Sequence, residues 1–328
     1  MNIVFAGTPE FAKALLCSLL TYQKNHPDIT LQAVFTQPDR AKGRGQQVLA
    51  CPTKQLALSA DLPVYQYPNL NTPEQKALVL SHLPWHQIDL LITAAYGLIL
   101  PPYLLALPKY GCWNVHASLL PRWRGASPIQ QAILAGDTES GISLIQMAEG
   151  LDDGDILWQE ACAIAPKDTY ASLEQKLAHL GASLLSRALT AFKQNPSYLP
   201  ALKQNTQFVT LAPKISKASG HLNWALPALQ LERTLRAFSP APGCFTLYEN
   251  QRIKIWGGTC FGPSLQKNMP SQPPGTILAC SPEGLSIQAG ENTVFTLTQL
   301  QLPGKNKSPF SQILNGHPHF FKLNTQLN

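Results

Sequence analysis

Short apolar runs alternating with amphipathic stretches organise the first two thirds of the chain. Asn2 to Ala6 is an apolar run stopped by Gly7-Thr8-Pro9, and Glu10 to Leu20 then repeats apolar positions at the spacing of one helical face. Leu31 to Thr36 predicts a second strand. Asp89 to Ala95 (DLLITAA) is apolar almost throughout, the pattern of a parallel strand covered on both faces. Trp113 to Ser118 and Gly141 to Met147 predict further strands. Pro128 to Ala135 predicts a helix with proline in its first turn, and Tyr170 to Lys193 a long helix closing this part. Such β–α alternation predicts an α/β fold: a Rossmann-like, mainly parallel open sheet with helices on both faces. Ligands of these sheets bind beyond the carboxyl ends of the strands. Gly7-Thr8, Tyr96-Gly97, Asn114 to Ser118 and the segment after Met147 would gather there.

The pattern changes near residue 195. Asn195 to Gln207 (NPSYLPALKQNTQ) is polar, holds two prolines and lacks periodicity, as a linker does. Beyond it, Pro227 to Phe238 predicts a helix. Gln251 to Trp256, Gly275 to Ala279, Gly284 to Gln288 and Val294 to Gln299 are short strand-like runs separated by Gly, Pro and Asn. Their spacing suits a small, OB-like β-barrel. The expected division is an N-terminal domain over residues 1–194, a linker over 195–206 and a barrel domain over 207–328. The stretch from Gly262 to Pro274 is expected to be a loop.

Composition narrows the class. Of 328 residues, 45% are hydrophobic and 13% charged, as in globular proteins, and no apolar stretch is long enough to span a bilayer. The first residues lack the basic flank of a secretory signal, so a cytoplasmic protein without a membrane partner is expected. Seven cysteines stand at 17, 51, 112, 162, 244, 260 and 280, with no Cys-x-x-Cys pair and no histidine at zinc-ligand spacing. We therefore expect reduced thiols and no metal. Cys112 reads as a small buried hydrophobe rather than a nucleophile. The net charge of +6 is unevenly placed. Residues 1–205 hold 15 basic and 15 acidic side chains, whereas residues 206–328 hold 10 basic ones against four glutamates. A basic appendage on a neutral body fits a polyanionic partner, nucleic acid first; a solvated basic surface would look the same.

Asn114 and His116, two apart on a predicted strand, project from the same face. At a strand's exit such a pair can stabilise an oxyanion and manage a proton, or simply satisfy loop backbone groups. Asp152, in Gly150-Leu151-Asp152-Asp153-Gly154-Asp155, can approach His116 from the next strand end or form an ordinary Asp/Gly turn. The segment lacks the distal glutamate of an EF-hand, which excludes calcium of that kind. Ser118 to Gly125 (SLLPRWRG) mixes arginines with Trp123, and the loop Thr36 to Gln47 carries Arg40, Lys42 and Arg44. Both can contact phosphates or be plain solvated surface. The Gly-x-Gly around Arg44 lacks the context of a dinucleotide fingerprint.

Together, Asn114-Val115-His116, SLLPRWRG and Gly150-Leu151-Asp152 with Gly154-Asp155 resemble the 10-formyltetrahydrofolate-dependent formyltransferases in order and separation. FAGTPEF, FTQPDRAKGRG, AAYGLILP and PRWRGASPIQ are similar to the members acting on initiator methionyl-tRNA. The resemblance implies a catalytic trio of Asn114, His116 and Asp152. It further implies a folate site from Tyr96, Gly97, Leu98, Ile99, Ser118, Leu119, Leu120 and Pro121. Contacts to tRNA would come from Arg40, Lys42, Arg44, Lys214 and Lys217, in a chain expected to act as a monomer. Two departures stand out: Asp153, where members often have threonine, and Ser239-Pro240-Ala241-Pro242-Gly243, which lacks the tryptophan frequent between those prolines. Rival expectations are a formyltransferase for a small amine, such as an amino-sugar nucleotide, and a non-catalytic RNA-binding protein on the same scaffold.

Overall fold

The computed structural model describes residues 1–42, 47–196, 199, 201–260 and 272–328. It opens with β1 (Asn2–Gly7), α1 (Glu10–Asn25) and β2 (Thr30–Thr36), followed by β3 (Arg40–Lys42) and β4 (Gln47–Leu49). Next come α2 (Pro52–Ser59), β5 (Val64–Gln66), α3 (Pro73–His82), β6 (Leu90–Ala94), α4 (Pro102–Leu105) and β7 (Cys112–His116). β8 (Arg124–Gly125), α5 (Pro128–Ala135), β9 (Glu139–Gln146), β10 (Ile156–Ala163), α6 (Tyr170–Gln194) and β11 (Leu211–Ala212) complete the first two thirds. Among the described residues no helix is long and apolar enough to cross a membrane.

Seven strands form one sheet in the order β10-β9-β7-β6-β1-β2-β5. The pairs from β7 through β5 are parallel, whereas β9 runs antiparallel to both β7 and β10. The expected mainly parallel sheet is therefore present, with an antiparallel edge. All five residues of β6 are buried, so its apolar run reflects cover on both faces. α1 buries Phe11, Ala12, Leu15, Leu16, Leu19 and Tyr22, a single helical stripe, in agreement with its apolar spacing. Val4 and Ala6 of β1, Ala33 and Phe35 of β2, Leu91 and Cys112 share a core cluster with Tyr67, Val79, Trp85 and Tyr96. Strand order reverses around β1, which sets a crevice at the carboxyl ends of β1, β6 and β7.

The described chain divides into two compact units. The first takes residues 1–128, 139–163 and 174–213; the second takes 129–138, 164–173 and 214–328. In the second lie α7 (Ala228–Ala237), β12 (Cys244–Tyr248), β13 (Gln251–Cys260), β14 (Ile277–Ser281), β15 (Gly284–Gln288), β16 (Val294–Gln301), β17 (Ser308–Pro309) and α8 (Phe310–Gly316). These strands form an antiparallel sheet in the order β12-β13-β16-β15-β14, with β17 on β16. Ile253, Ile255, Ile287, Phe295 and Leu297 are buried at alternate positions of that sheet.

Two segments differ from their sequence reading. The stretch expected as a linker over 195–206 is bonded into the first unit: Leu202 exchanges two backbone hydrogen bonds with Ile156, of 2.8 and 2.9 Å. Further on, β11 pairs in parallel with β8. A polar, aperiodic segment laid against a protein finds partners for its backbone in this way. The basic segment Thr36 to Gln47, expected as a loop, contains a hairpin arm. β3 pairs antiparallel with β4, Arg40 opposite Leu49 and Ala41 opposite Val48. Residues 43–46, with Arg44, and most of the stretch from Gly262 to Pro274, expected as a loop, lie outside the described residues.

Candidate active site

Asn114 and His116 leave β7 on one face, and Asp152 reaches them from the loop after β9. The Asn114 Nδ2 donates to Asp152 Oδ1 at 3.1 Å, and its Oδ1 accepts the Thr93 hydroxyl at 2.9 Å. One of the two amide hydrogens is thereby used, and the other remains for a ligand. His116 is buried, with Nε2 2.9 Å from the Trp123 carbonyl oxygen and Nδ1 3.5 Å from Asp152 Oδ2. A carbonyl only accepts, so Nε2 carries a hydrogen, and Nδ1 faces the Asp152 carboxylate.

Backbone geometry aims Asp152 at its neighbours. Its φ of +47° places it in the left-handed region, and its Oδ2 also accepts the Gly125 N–H at 2.9 Å. Gly125 itself has φ of +120°, and a Cβ there would stand 2.7 Å from the Ala212 carbonyl oxygen. At Gly154 a Cβ would come within 1.8 Å of the Gln146 carbonyl oxygen. Glycine is required at both positions for the loop and the SLLPRWRG segment to close on one carboxylate. Gln204 completes the closure by donating both amide hydrogens, to the Asp152 and Gly154 carbonyl oxygens at 2.8 Å each.

The residues expected to hold folate fall into two groups. Gly97, Leu98 and Ile99 form the turn beyond β6, with Gly97 at φ of +81° and Ile99 largely exposed. The Tyr96 side chain instead enters the core, where its hydroxyl finds no hydrogen-bond partner among the described residues and burial pushes the phenol's pKa up. Ser118 donates its hydroxyl to the Arg122 carbonyl at 2.6 Å, and Leu120 packs with Ile145 and Ile156. The Leu120 N–H donates to Ser143 Oγ at 3.0 Å, and its carbonyl accepts from Gln159. The polar groups of Ser118 and Leu120 are thus used within the protein. The Ser118 and Leu120 side chains, like that of Tyr96, are buried. Leu119 and Pro121 are half-buried.

Burial pushes the Cys112 thiol up to about 12, so this cysteine is not a nucleophile at neutral pH. Arg40 is exposed and donates to Gln37 Oε1 at 2.9 Å. Lys42 contributes backbone to β3. Lys214 and Lys217 are exposed at the start of the second unit's last segment. The structure thus unites the trio and leaves the described basic residues on separate segments. Sequence reading missed Thr93, Gly125, Gln204 and Thr210, whose Oγ1 accepts the Trp123 N–H at 2.8 Å. Of these, only Gly125 carried a signal, as the glycine closing SLLPRWRG.

Comparison with known proteins agrees with this architecture. The formyl transferase family profile matches residues 1–189, and that of the formyl transferase C-terminal domain residues 214–318. The chain is 42% identical over 322 residues to methionyl-tRNA formyltransferase of Verminephrobacter eiseniae, covering 96% of each. It is 41% identical over 328 residues to that of Marinobacter nauticus, covering 100% of each. Among solved structures it is similar to the sugar 3N-formyl transferase WlaRD, with a TM-score of 0.63 at 18% identity, over 93% of this chain and 99% of that one. A likeness at that identity concerns the fold. On its own two domains and its near-full-length relatives, the chain belongs to the formyl transferase family.

Proposed function

We propose that this protein transfers the formyl group of 10-formyltetrahydrofolate to the free amine of methionyl initiator tRNA, as a monomer in the cytoplasm. The observation that carries the chemistry is the convergence of Asn114, His116 and Asp152 at one strand end. The neutral amine attacks the formyl carbon directly, and the carbonyl π pair moves onto oxygen. The remaining Asn114 N–H, with the His116 ring beside it, stabilises that oxyanion in a partly buried site, where donors fixed in advance act most strongly. Asp152 orients His116 and accepts the amine's proton through water. The oxyanion then collapses, the bond from the formyl carbon to N10 of the folate breaks, and N10 takes a proton. No bond to the enzyme forms.

The turn Gly97 to Ile99 would meet the folate with backbone groups and apolar surface. The segment Thr36 to Gln47, with Arg40, Lys42 and Arg44, would reach the acceptor end of the tRNA. The last segment of the second unit, residues 214–328, which opens on Lys214 and Lys217 and holds the charge excess, would bind its body. The assay uses purified protein, labelled 10-formyltetrahydrofolate and methionyl initiator tRNA, beside glycinamide ribonucleotide and an amino-sugar nucleotide. Label is expected on the tRNA. Label only on a small amine, or none, would reject the proposal.

A further inference from the structure

We infer that Gln204 is a positioning residue for the transfer, acting through Asp152; this rests on the function proposed above. Gln204 is buried, at 9% exposure, although it lies in a polar stretch between exposed Lys203 and Asn205. Its side chain makes three hydrogen bonds. Nε2 donates to the Asp152 and Gly154 carbonyl oxygens, and Oε1 accepts from Arg124 Nε at 2.9 Å. Both amide hydrogens therefore go to the backbone of one short turn, three residues from end to end. Arg124, which only donates, fixes which end of the amide faces that turn. This choice of partners is what a clamp on Asp152 requires. A residue in the left-handed region keeps that backbone only where its surroundings hold it, and here Asp152 is so placed.

The same segment supports the other side of the site. Thr210 accepts the Trp123 N–H through its hydroxyl and the Arg124 N–H through its carbonyl, at 2.8 and 2.9 Å. Trp123 in turn presents the carbonyl that holds His116. Residues 202–212 thus form a backing strap for both partners of the imidazole. Within the strap, Gln204 alone bonds to the Asp152 backbone among the described residues. A carboxylate displaced by about 1 Å costs on the order of 100-fold in rate, even when the change responsible lies away from the reacting atoms.

The test is a double-mutant cycle on the full chain, with initial rates measured for wild type, D152A, Q204E and D152A/Q204E. Gln204→Glu keeps the length and the bond from Arg124, but sets an oxygen against two carbonyl oxygens. We expect kcat to fall about 100-fold and both KM values to change less than about twofold. In the D152A background the same substitution should change the rate by less than about twofold. Gln204→Met, uncharged and of similar length, should behave alike and remain folded at the assay temperature. A wild-type kcat in either variant would overturn the inference. So would unfolding of both variants at the assay temperature, or an equal loss in the D152A background, since either would make Gln204 a general support of the fold. Wild-type protein that transfers no label to tRNA rejects the underlying function instead, and the inference falls with it.

Discussion

At Asn114 the two ends of one amide face partners of opposite character: a hydroxyl gives to its oxygen, and a carboxylate takes from its nitrogen. The amide cannot flip without setting its oxygen against Asp152, so the second N–H is held in one direction before any substrate arrives. Removing a donor of this kind costs about 100- to 1,000-fold in kcat. We expect that loss in Asn114→Ala under saturating substrates, with KM for tRNA nearly unchanged because the contact exists in the transition state. Asn114→Asp, although isosteric, should do no better, as two carboxylates would then stand about 3 Å apart. Cys112, two residues earlier on β7, gives a second check. Its thiol is buried and held up to about 12, whereas Cys17 is exposed. Iodoacetamide at pH 8 followed by peptide mapping should modify Cys17 and spare Cys112 until denaturant is added. The shared face of Asn114 and His116 was readable because strand side chains alternate strictly. The role of Gln204 was not, since its partner Asp152 lies 52 residues away and no local pattern marks it.

Elements were readable where burial was two-sided or periodic. β6 and α1 were, because an apolar run or stripe is what their surroundings demand. β10 escaped notice because it is an edge strand, buried at Ile156 and Leu157 and then alternating with exposed Gln159 and Ala161. β3 and β4, three residues each, are too short for any period to register. Their root is held by a network instead. Lys54 of α2 donates to Asp39 Oδ2 at 2.6 Å and to Gln66 Oε1 at 2.8 Å. Gln66 donates in turn to Asp39 Oδ1 and to the Gln37 carbonyl. The hydrogen bond from Lys54 holds the Asp39 carboxyl below its ordinary value of 3.8, against the opposing effect of burial. A group whose folded pKa is depressed contributes stability in full above its unfolded value and loses it as the pH falls through the folded one. Lys54→Met should therefore lower stability by about 1 kcal/mol at pH 7. In melts run at decreasing pH, the gap in Tm between it and wild type should close below the ordinary Asp39 value. A gap that persists in acid would assign the loss to packing of the lysine stem.

For the whole molecule, the charge count separates a neutral first part from a basic end without reference to the fold, because net charge is a property of composition. The count could not place the boundary at residue 213, which depends on β11 returning to pair with β8. That boundary puts Lys214 and Lys217 at the head of the basic unit. If that unit binds the tRNA backbone, each phosphate it neutralises releases counterions, and affinity falls with salt by a power set by the number of contacts. KM for methionyl initiator tRNA should then rise steeply with added KCl, while KM for 10-formyltetrahydrofolate moves little. Lys214→Gln and Lys217→Gln should each raise KM for the tRNA and lower the slope of log KM against log salt by about 1. kcat should stay unchanged, since neither lysine touches the reacting atoms in the proposed function. A slope unaffected by both substitutions would move the phosphate contacts to other cations. The best candidates would then be those of the hairpin arm, where Arg40→Gln should show the missing loss of slope.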